Sequence, residues 1–167
     1  MLRNFRGILP TVAPTAYVDQ SAQVIGDVHI GPESSVWMNV VIRGDVNAIR
    51  IGARTNVQDG AVVHVQTGTH PTTIGDEVTI GHGAIVHGCT IRDRCLIGMG
   101  AILLNGVSVG AESIVAAGSL LPEGFEVPPR SLVMGSPARV RRQLTDVEVD
   151  LIRGYAANYV RYRLDYA

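Results

Sequence analysis

An aliphatic residue returns at every sixth position through most of this chain, and few folds can use such a period. It stands at Val18, Val24, Ile30, Val36 and Ile42, then at Ile51, Val57 and Val63, then at Ile74, Ile80 and Val86. After a one-residue slip it runs on through Ile91, Ile97, Leu103, Val109, Val115 and Leu121. Four residues beyond many of these comes a small side chain: Ala22, Ser34, Thr55, Ala61, Ala84, Thr90, Cys95, Ala101, Ser113 and Ser119. An amphipathic helix needs a period near 3.6 and a half-buried strand a period of 2, so a period of six suits neither. It suits a hexapeptide β-solenoid, in which each hexad makes one flat side of a triangular coil. The aliphatic and the small residue then point inward, and stacked coils share a continuous core. The pattern predicts an all-β parallel solenoid with its N-terminal lead-in over residues 1–127. A connecting loop marked by Pro122, Gly124, Pro128 and Pro129 closes the last coil, and residues 128–167 end in an α-helix packed on the same domain.

The helix carries its own signals. Thr145-Asp-Val-Glu148 reads as a capping box, and Ile152, Tyr155, Ala156, Tyr159 and Val160 follow at helical spacing. Gly154 weakens it slightly. The 167 residues carry a formal charge of −1 and all 14 cationic residues are arginine. No basic run interleaved with aromatics suggests nucleic-acid binding, and no apolar stretch is long enough to span a membrane or serve as a signal peptide. Cys89 and Cys95 lie one hexad apart, hence on different sides of the prism, which disfavours a disulfide and points to a reduced, cytoplasmic protein.

The period also fixes where the histidines point. Two insertions interrupt the count, one before Ile51 and one between Val63 and Ile74. With these allowed for, Ile42, Val63 and Val86 begin the same side in successive coils. Arg43, His64 and His87, one residue further on, therefore form an outward column at the ~4.8 Å spacing of neighbouring strands. Two imidazoles at that distance can converge on one metal ion. His82 follows Ile80 by two residues, on the preceding side, stacked over Asp59. Within one chain it is turned away from His64 and His87, beyond the ~2.0–2.1 Å of zinc–nitrogen coordination. A neighbouring chain around a threefold axis can supply it, so the geometry predicts a homotrimer with metal sites at its interfaces. His29, near a corner, and His70, in the loop before Pro71, read as solvated side chains.

Arg43-Gly-Asp45, Asn56-Val-Gln58-Asp59-Gly, His64, Gly81-His82-Gly-Ala-Ile-Val-His87-Gly-Cys and Ile97-Gly-Met-Gly-Ala-Ile resemble the gamma-class carbonic anhydrase-like family. Gly135-Ser-Pro-Ala and Asn158-Tyr159-Val extend the resemblance over nearly the whole chain. It implies a left-handed β-helix, a trimer, and a metal held by His64 and His87 of one subunit and His82 of the next. Zinc is the implied ion, and iron(II) or cobalt accept the same three imidazoles. A water lowered in pKa to about 7 on such an ion would attack carbon dioxide to give bicarbonate. The resemblance gives Gln58 the role of orienting the reactants, pairs Arg43 with Asp59 across the interface, and adds Asp45 as a second partner of Arg43. Asn56 reads as a turn brace, and Tyr159 as a residue that reaches the site from the helix. Val46 departs from the pattern, standing where the family places a proton-carrying glutamate; His70 is the available substitute. Two rivals follow: a hexapeptide-repeat acyltransferase or thioesterase, or a non-catalytic metal-binding scaffold subunit.

Overall fold

The computed structural model describes residues 1–166, which wind into a left-handed parallel β-solenoid of about seven turns followed by one α-helix. Three flat faces run along it. On the first, Val62–His64, Ile85–His87, Ile102–Leu103 and Leu120–Leu121 stack in parallel register below Val41–Ile51. On the second, Thr72–Ile74, Thr90–Ile91, Ser108–Val109 and Glu126–Val127 stack below the far end of that same long strand. The third runs from Tyr17–Val18 through Ser35–Val36, Asn56–Val57, Thr79–Ile80, Leu96–Ile97 and Ile114–Val115 to Ser131–Gly135.

Inside the prism the hexad aliphatics form the core. Val24, Ile30, Ile42, Val63, Ile80, Val86, Ile97, Leu103 and Leu121 have no exposed surface at all. Each such burial stabilises by roughly 1.5–3 kcal/mol. Ala61, Ala84 and Ala101 fill the narrow corners as expected. Thr90 does not. The turn at Gly88 shortens that hexad by one residue, so Cys89 takes the inward slot while Thr90 lies half-buried on a strand. Both cysteines are free and buried, and burial pushes both thiols up to about 12.

One corner is built from alternating charge. Glu33, Arg54, Glu77, Arg94, Glu112 and Arg130 occupy successive turns there, all in the left-handed region at φ 54–59°. Each amide from Arg54 onward donates to a carbonyl of the coil above, beginning with Arg54 to Pro32 and Glu77 to Ala53. Side chains pair along the column: Arg54 with Glu77 at 2.9 Å, Arg94 with Glu112 at 3.0 Å, and Arg130 with Glu112 at 3.9 Å. Ordinary residues avoid this backbone region. Here the coil-to-coil hydrogen bonds and the ion pairs offset the cost.

The stretch after Val127, expected as a connecting loop, is ordered β structure instead. Ser131–Gly135 adds a further strand to the third face, and the chain then reverses so that Ala138–Gln143 pairs with it antiparallel. The prolines cluster in the turns between these strands, where their missing N–H costs no ladder bond. The helix Asp146–Tyr162 begins with the expected capping box, in which Thr145 and Glu148 exchange hydrogen bonds. Its buried row is Val149, Ile152 and Ala156, and Val149 and Ile152 pack with Leu144 on Leu96, Ile114 and Leu132 of the third face. Tyr155, expected in that row, is 43% exposed. No helix among the described residues is long and apolar enough to cross a membrane.

Candidate metal centre

His64 and His87 lie opposite one another in paired strands, in the register that the hexads predict. Their ring centroids are 5.0 Å apart, and His64 Nδ1 stands 3.1 Å from His87 Nε2. What surrounds each ring decides which nitrogen carries its proton. His64 Nε2 lies 3.0 Å from Asp45 Oδ1, a carboxylate that can only accept, so this nitrogen donates. Arg43 pairs with the other oxygen of Asp45. Burial opposes charge on Asp45, yet the hydrogen bonds from His64 and Arg43 prevail and hold it below the usual carboxylate range. Burial also lowers His64, against the pull of Asp45, so its ring is neutral near pH 7.

His87 is fixed from the other side. Its Nδ1 lies 2.8 Å from Asn105 Oδ1, and Asn105 Nδ2 donates to Glu123 Oε1 at 3.2 Å. The carboxylate orients the amide, the amide oxygen takes the Nδ1 proton, and Nε2 keeps a lone pair. Gly88 makes this contact possible: at φ +57°, a Cβ there would lie 2.4 Å from Asn105 Oδ1. Both nitrogens across the 3.1 Å gap are thus lone-pair acceptors with no proton between them. Such a pair is repulsive when left alone, and a shared cation would relieve it. The donor set fits a divalent metal.

His82 stands apart, as its place on the neighbouring side requires. Its Nδ1 donates to Asp59 Oδ2 at 3.0 Å, which leaves Nε2 free. Its side chain is 48% exposed, against 17% for His64, so it projects outward rather than toward its own chain's pair. Among the described residues of one chain, no three His, Cys, Asp or Glu side chains gather into a metal site. Arg43 and Asp59 likewise find separate partners within the chain, Asp45 and His82 respectively.

Beside His82 a cleft of about 490 Å³ runs between the third face and the helix. Gln58 and Tyr159 line it together with His82, Met99, Tyr155 and Asn158. Gln58 is buried, and its amide donates to Asn56 Oδ1 at 3.0 Å while Asn56 donates to Thr79 Oγ1 at 2.9 Å. Asn56 is therefore not a turn brace. It ties two coils of the third face together and fixes the amide of Gln58, whose Oε1 has no donor among the described residues. Tyr159 packs edge-on against Trp37 at 5.3 Å. Burial first, then Asp59 and Tyr162, raise its phenol above the ordinary value, so it stays protonated. Val46 is 39% exposed and adds no acid to the site. His70 borders a separate polar groove with Asn105 and Glu123. The sequence reading missed Asn105 and Glu123. The one available signal was Gly88, a glycine placed where only the next coil could need the room.

A parallel hexad prism with paired histidines on one face defines a hexapeptide-repeat protein. The hexapeptide repeat of succinyl-transferase matches residues 71–105 and 93–121. Among curated proteins, the "Probable carbonic anhydrase" of Methanocaldococcus jannaschii is 48% identical over 150 residues, covering 90% of this chain and 94% of that protein. "Gamma carbonic anhydrase 1, mitochondrial" of Arabidopsis thaliana is 50% identical over 95% of this chain. The chain spans 59% of that relative's length, and 56% of its mitochondrial paralogue. A solved hexapeptide transferase family protein from Anaplasma phagocytophilum superposes with a TM-score of 0.95 at 39% identity, covering 99% of this chain and 98% of that one. A candidate acetyltransferase from Bacillus cereus gives 0.96 at 38%, covering 99% and 95%. The chain belongs to the gamma-class carbonic anhydrase-like family of hexapeptide-repeat proteins.

Proposed function

We propose that this chain forms a homotrimeric, metal-dependent enzyme that reversibly hydrates carbon dioxide to bicarbonate. The observation that carries the reading is the pair of lone-pair nitrogens, His64 Nδ1 and His87 Nε2, held 3.1 Å apart with their protons committed elsewhere. His82, locked by Asp59 and projecting outward, completes the set for a neighbouring subunit's pair. Three imidazoles leave a fourth position open, the pattern of catalytic zinc. With a divalent ion held there, the chemistry supplied would be hydroxide at neutral pH, since the pKa of water on such an ion falls from 15.7 to about 7. Zinc suits three imidazoles, and iron(II) or cobalt suit them as well.

The chain's own residues supply the rest. Asp45, Asp59 and Asn105 fix the tautomers of the three rings and aim them, as the outer shell of a metal site must. Gln58, immobilised by Asn56, offers its Oε1 to orient a reactant beside His82. Arg43 stands next to the histidine column, where a cation attracts the bicarbonate anion, and pairs with Asp59 of a neighbour when subunits meet. Tyr159 keeps its phenolic proton and can donate to an oxygen of carbon dioxide in the cleft.

The test prepares the full chain anaerobically, once with zinc and once with iron(II), and measures carbon dioxide hydration by stopped flow beside a His87→Ala control. Activity that requires metal and disappears in the control supports the reading; activity unchanged in the control overturns it. The solved Bacillus cereus relative named as an acetyltransferase favours a second reading, a coenzyme A-dependent acyltransferase. Acyl transfer that survives complete chelation would favour it. Full metal loading without hydration activity would favour a scaffold role instead.

A further inference from the structure

Away from the histidine column, the end of the chain returns to the first coils and builds a pocket of different chemistry. Trp37, the chain's only tryptophan, sits just past the third-face strand Ser35–Val36 and is 5% exposed. Its indole N–H donates to Ser35 Oγ at 2.9 Å, which fixes the ring. Tyr159 meets Trp37 at 5.3 Å with an interplanar angle of 79°, and Tyr166 meets it at 5.1 Å and 82°. Tyr162 stands on Tyr159 at 5.5 Å and 72°. Trp37, also met by Tyr17 at 5.6 Å, is the buried floor of this cluster, and the half-exposed rings of Tyr162 and Tyr166 stand as its open walls. Trp37, Tyr159, Tyr162 and Tyr166 line a pocket of about 650 Å³ together with Asp59 and Asp165.

Within one chain the charge of this pocket has one sign, and Asp165 is the carboxylate that the proposed pairing of Asp59 with a neighbour's Arg43 leaves unengaged. Its lining holds two carboxylates and no cationic side chain. Asp59 is shared with His82, but Asp165, on the short 3-10 turn Arg163–Asp165, makes no ion pair among the described residues. Tyr162 and Tyr166 remain 47% and 56% exposed, so their surfaces are open to a ligand. Aromatic faces attract cations through the ring quadrupole, and they favour weakly hydrated organic cations over strongly hydrated metal ions. An aromatic box with carboxylates at its edge is the chemistry that recognises a quaternary ammonium.

We infer that this pocket binds a small organic cation of the quaternary ammonium class, seated against Trp37, Tyr162 and Tyr166 with Asp165 as its counter-charge. The inference does not rest on the metal chemistry proposed above. The pocket volume falls within the range of small-molecule sites, and its walls come from one chain.

Trp37 provides the readout. The purified full chain is titrated with choline chloride at constant ionic strength while its tryptophan fluorescence is followed. The uncharged isostere 3,3-dimethyl-1-butanol is titrated in parallel. A saturable change with choline, at least about tenfold tighter than with the isostere, is expected from the cation–π contribution. Tyr166→Leu and Asp165→Asn, both at the exposed chain end, each weaken choline binding several-fold while the far-ultraviolet circular dichroism is retained. Binding persists unchanged after chelation, which separates this site from the metal centre. Equal responses to choline and the isostere, no saturation through the tens-of-millimolar range, or loss of the response on chelation would each overturn the inference.

Discussion

Two columns of side chains run along this prism at the same coil-to-coil spacing, and they are satisfied in opposite ways. In the corner column Glu33, Arg54, Glu77, Arg94, Glu112 and Arg130 alternate in sign, so a carboxylate finds a guanidinium one coil away. On the first face His64 and His87 stack in the same manner, but they turn like toward like, acceptor to acceptor. The first column is complete within the chain. The second has its protons drawn outward by Asp45 and Asn105 and leaves two facing lone pairs unsatisfied within the chain. The same coil-to-coil stacking, on left-handed corner residues in one place and on strands in the other, leaves one column satisfied and the other open, and the side chains behind the column decide which.

The contrast can be broken hardest at the histidines. On the proposed trimer, where His82 serves a neighbour's site, His82→Ala and His87→Ala should each lose metal by at least ~100-fold in affinity, beyond the 10–100-fold typical of an outer-shell change. Mixed trimers of the two variants should recover part of it. An interface that joins an intact His64/His87 pair to an intact His82 is whole. Metal analysis after co-refolding decides the matter, and no recovery would mean that the site is not shared between chains.

Asn105→Ala is the next largest. It leaves the ligands intact but frees the tautomer of His87, so metal affinity should drop about 10–100-fold, with Glu123→Gln falling short of that. Chelator competition measures both. Equal affinity in Asn105→Ala and the parent chain would show that the amide does not position the ring.

In the charge column the expected effects are smaller and independent of metal. Glu112→Gln deprives Arg94, Arg130 and Arg153 of a shared carboxylate. That should cost roughly 1 kcal/mol and lower Tm by about 2–4 °C. Exchanging the pair, Arg94→Glu with Glu112→Arg, should restore part of the loss. Scanning calorimetry of apo protein checks it, and a metal content that changed with Tm would erase the distinction between the columns.

The smallest effect concerns the helix cap, which resembles the charge column in needing no ligand. Arg142 and the Thr145 cap hold Glu148 down to about 2, from an ordinary 4.5. A carboxyl lowered by folding stabilises fully above its unfolded value and loses that contribution as pH falls through the folded one. Helical ellipticity should therefore hold from pH 7 to about 4.5 and decline toward pH 2, and Glu148→Gln should remove that part of the slope.

The sequence made the coil, the histidine column and the outlying His82 legible because each depends on a count along the chain. Val24, Val63 and Val86 lie where the hexads put them, and Thr145 caps the helix as its spacing to Glu148 foretells. What stayed hidden depends on neighbours one coil away. The role of Asn105 needs the room left by Gly88. The charge column is obscured because insertions stretch Arg54 to Glu77 to 23 residues, against 18 between Glu112 and Arg130 in the last turns. Pro122, Pro128 and Pro129 gave a loop signal strong enough to mask Ser131–Gly135 and Ala138–Gln143.

The reversed strand that ends the stack has a consequence for how copies of this molecule can meet. A solenoid whose last coil ended in a parallel edge would offer a template for another chain, and end-to-end addition has no natural limit. Ala138–Gln143 runs against that direction and carries Arg139, Arg141 and Arg142, all exposed, on the outermost edge. Filament growth is thereby discouraged at this end by strand polarity and by like-charge repulsion.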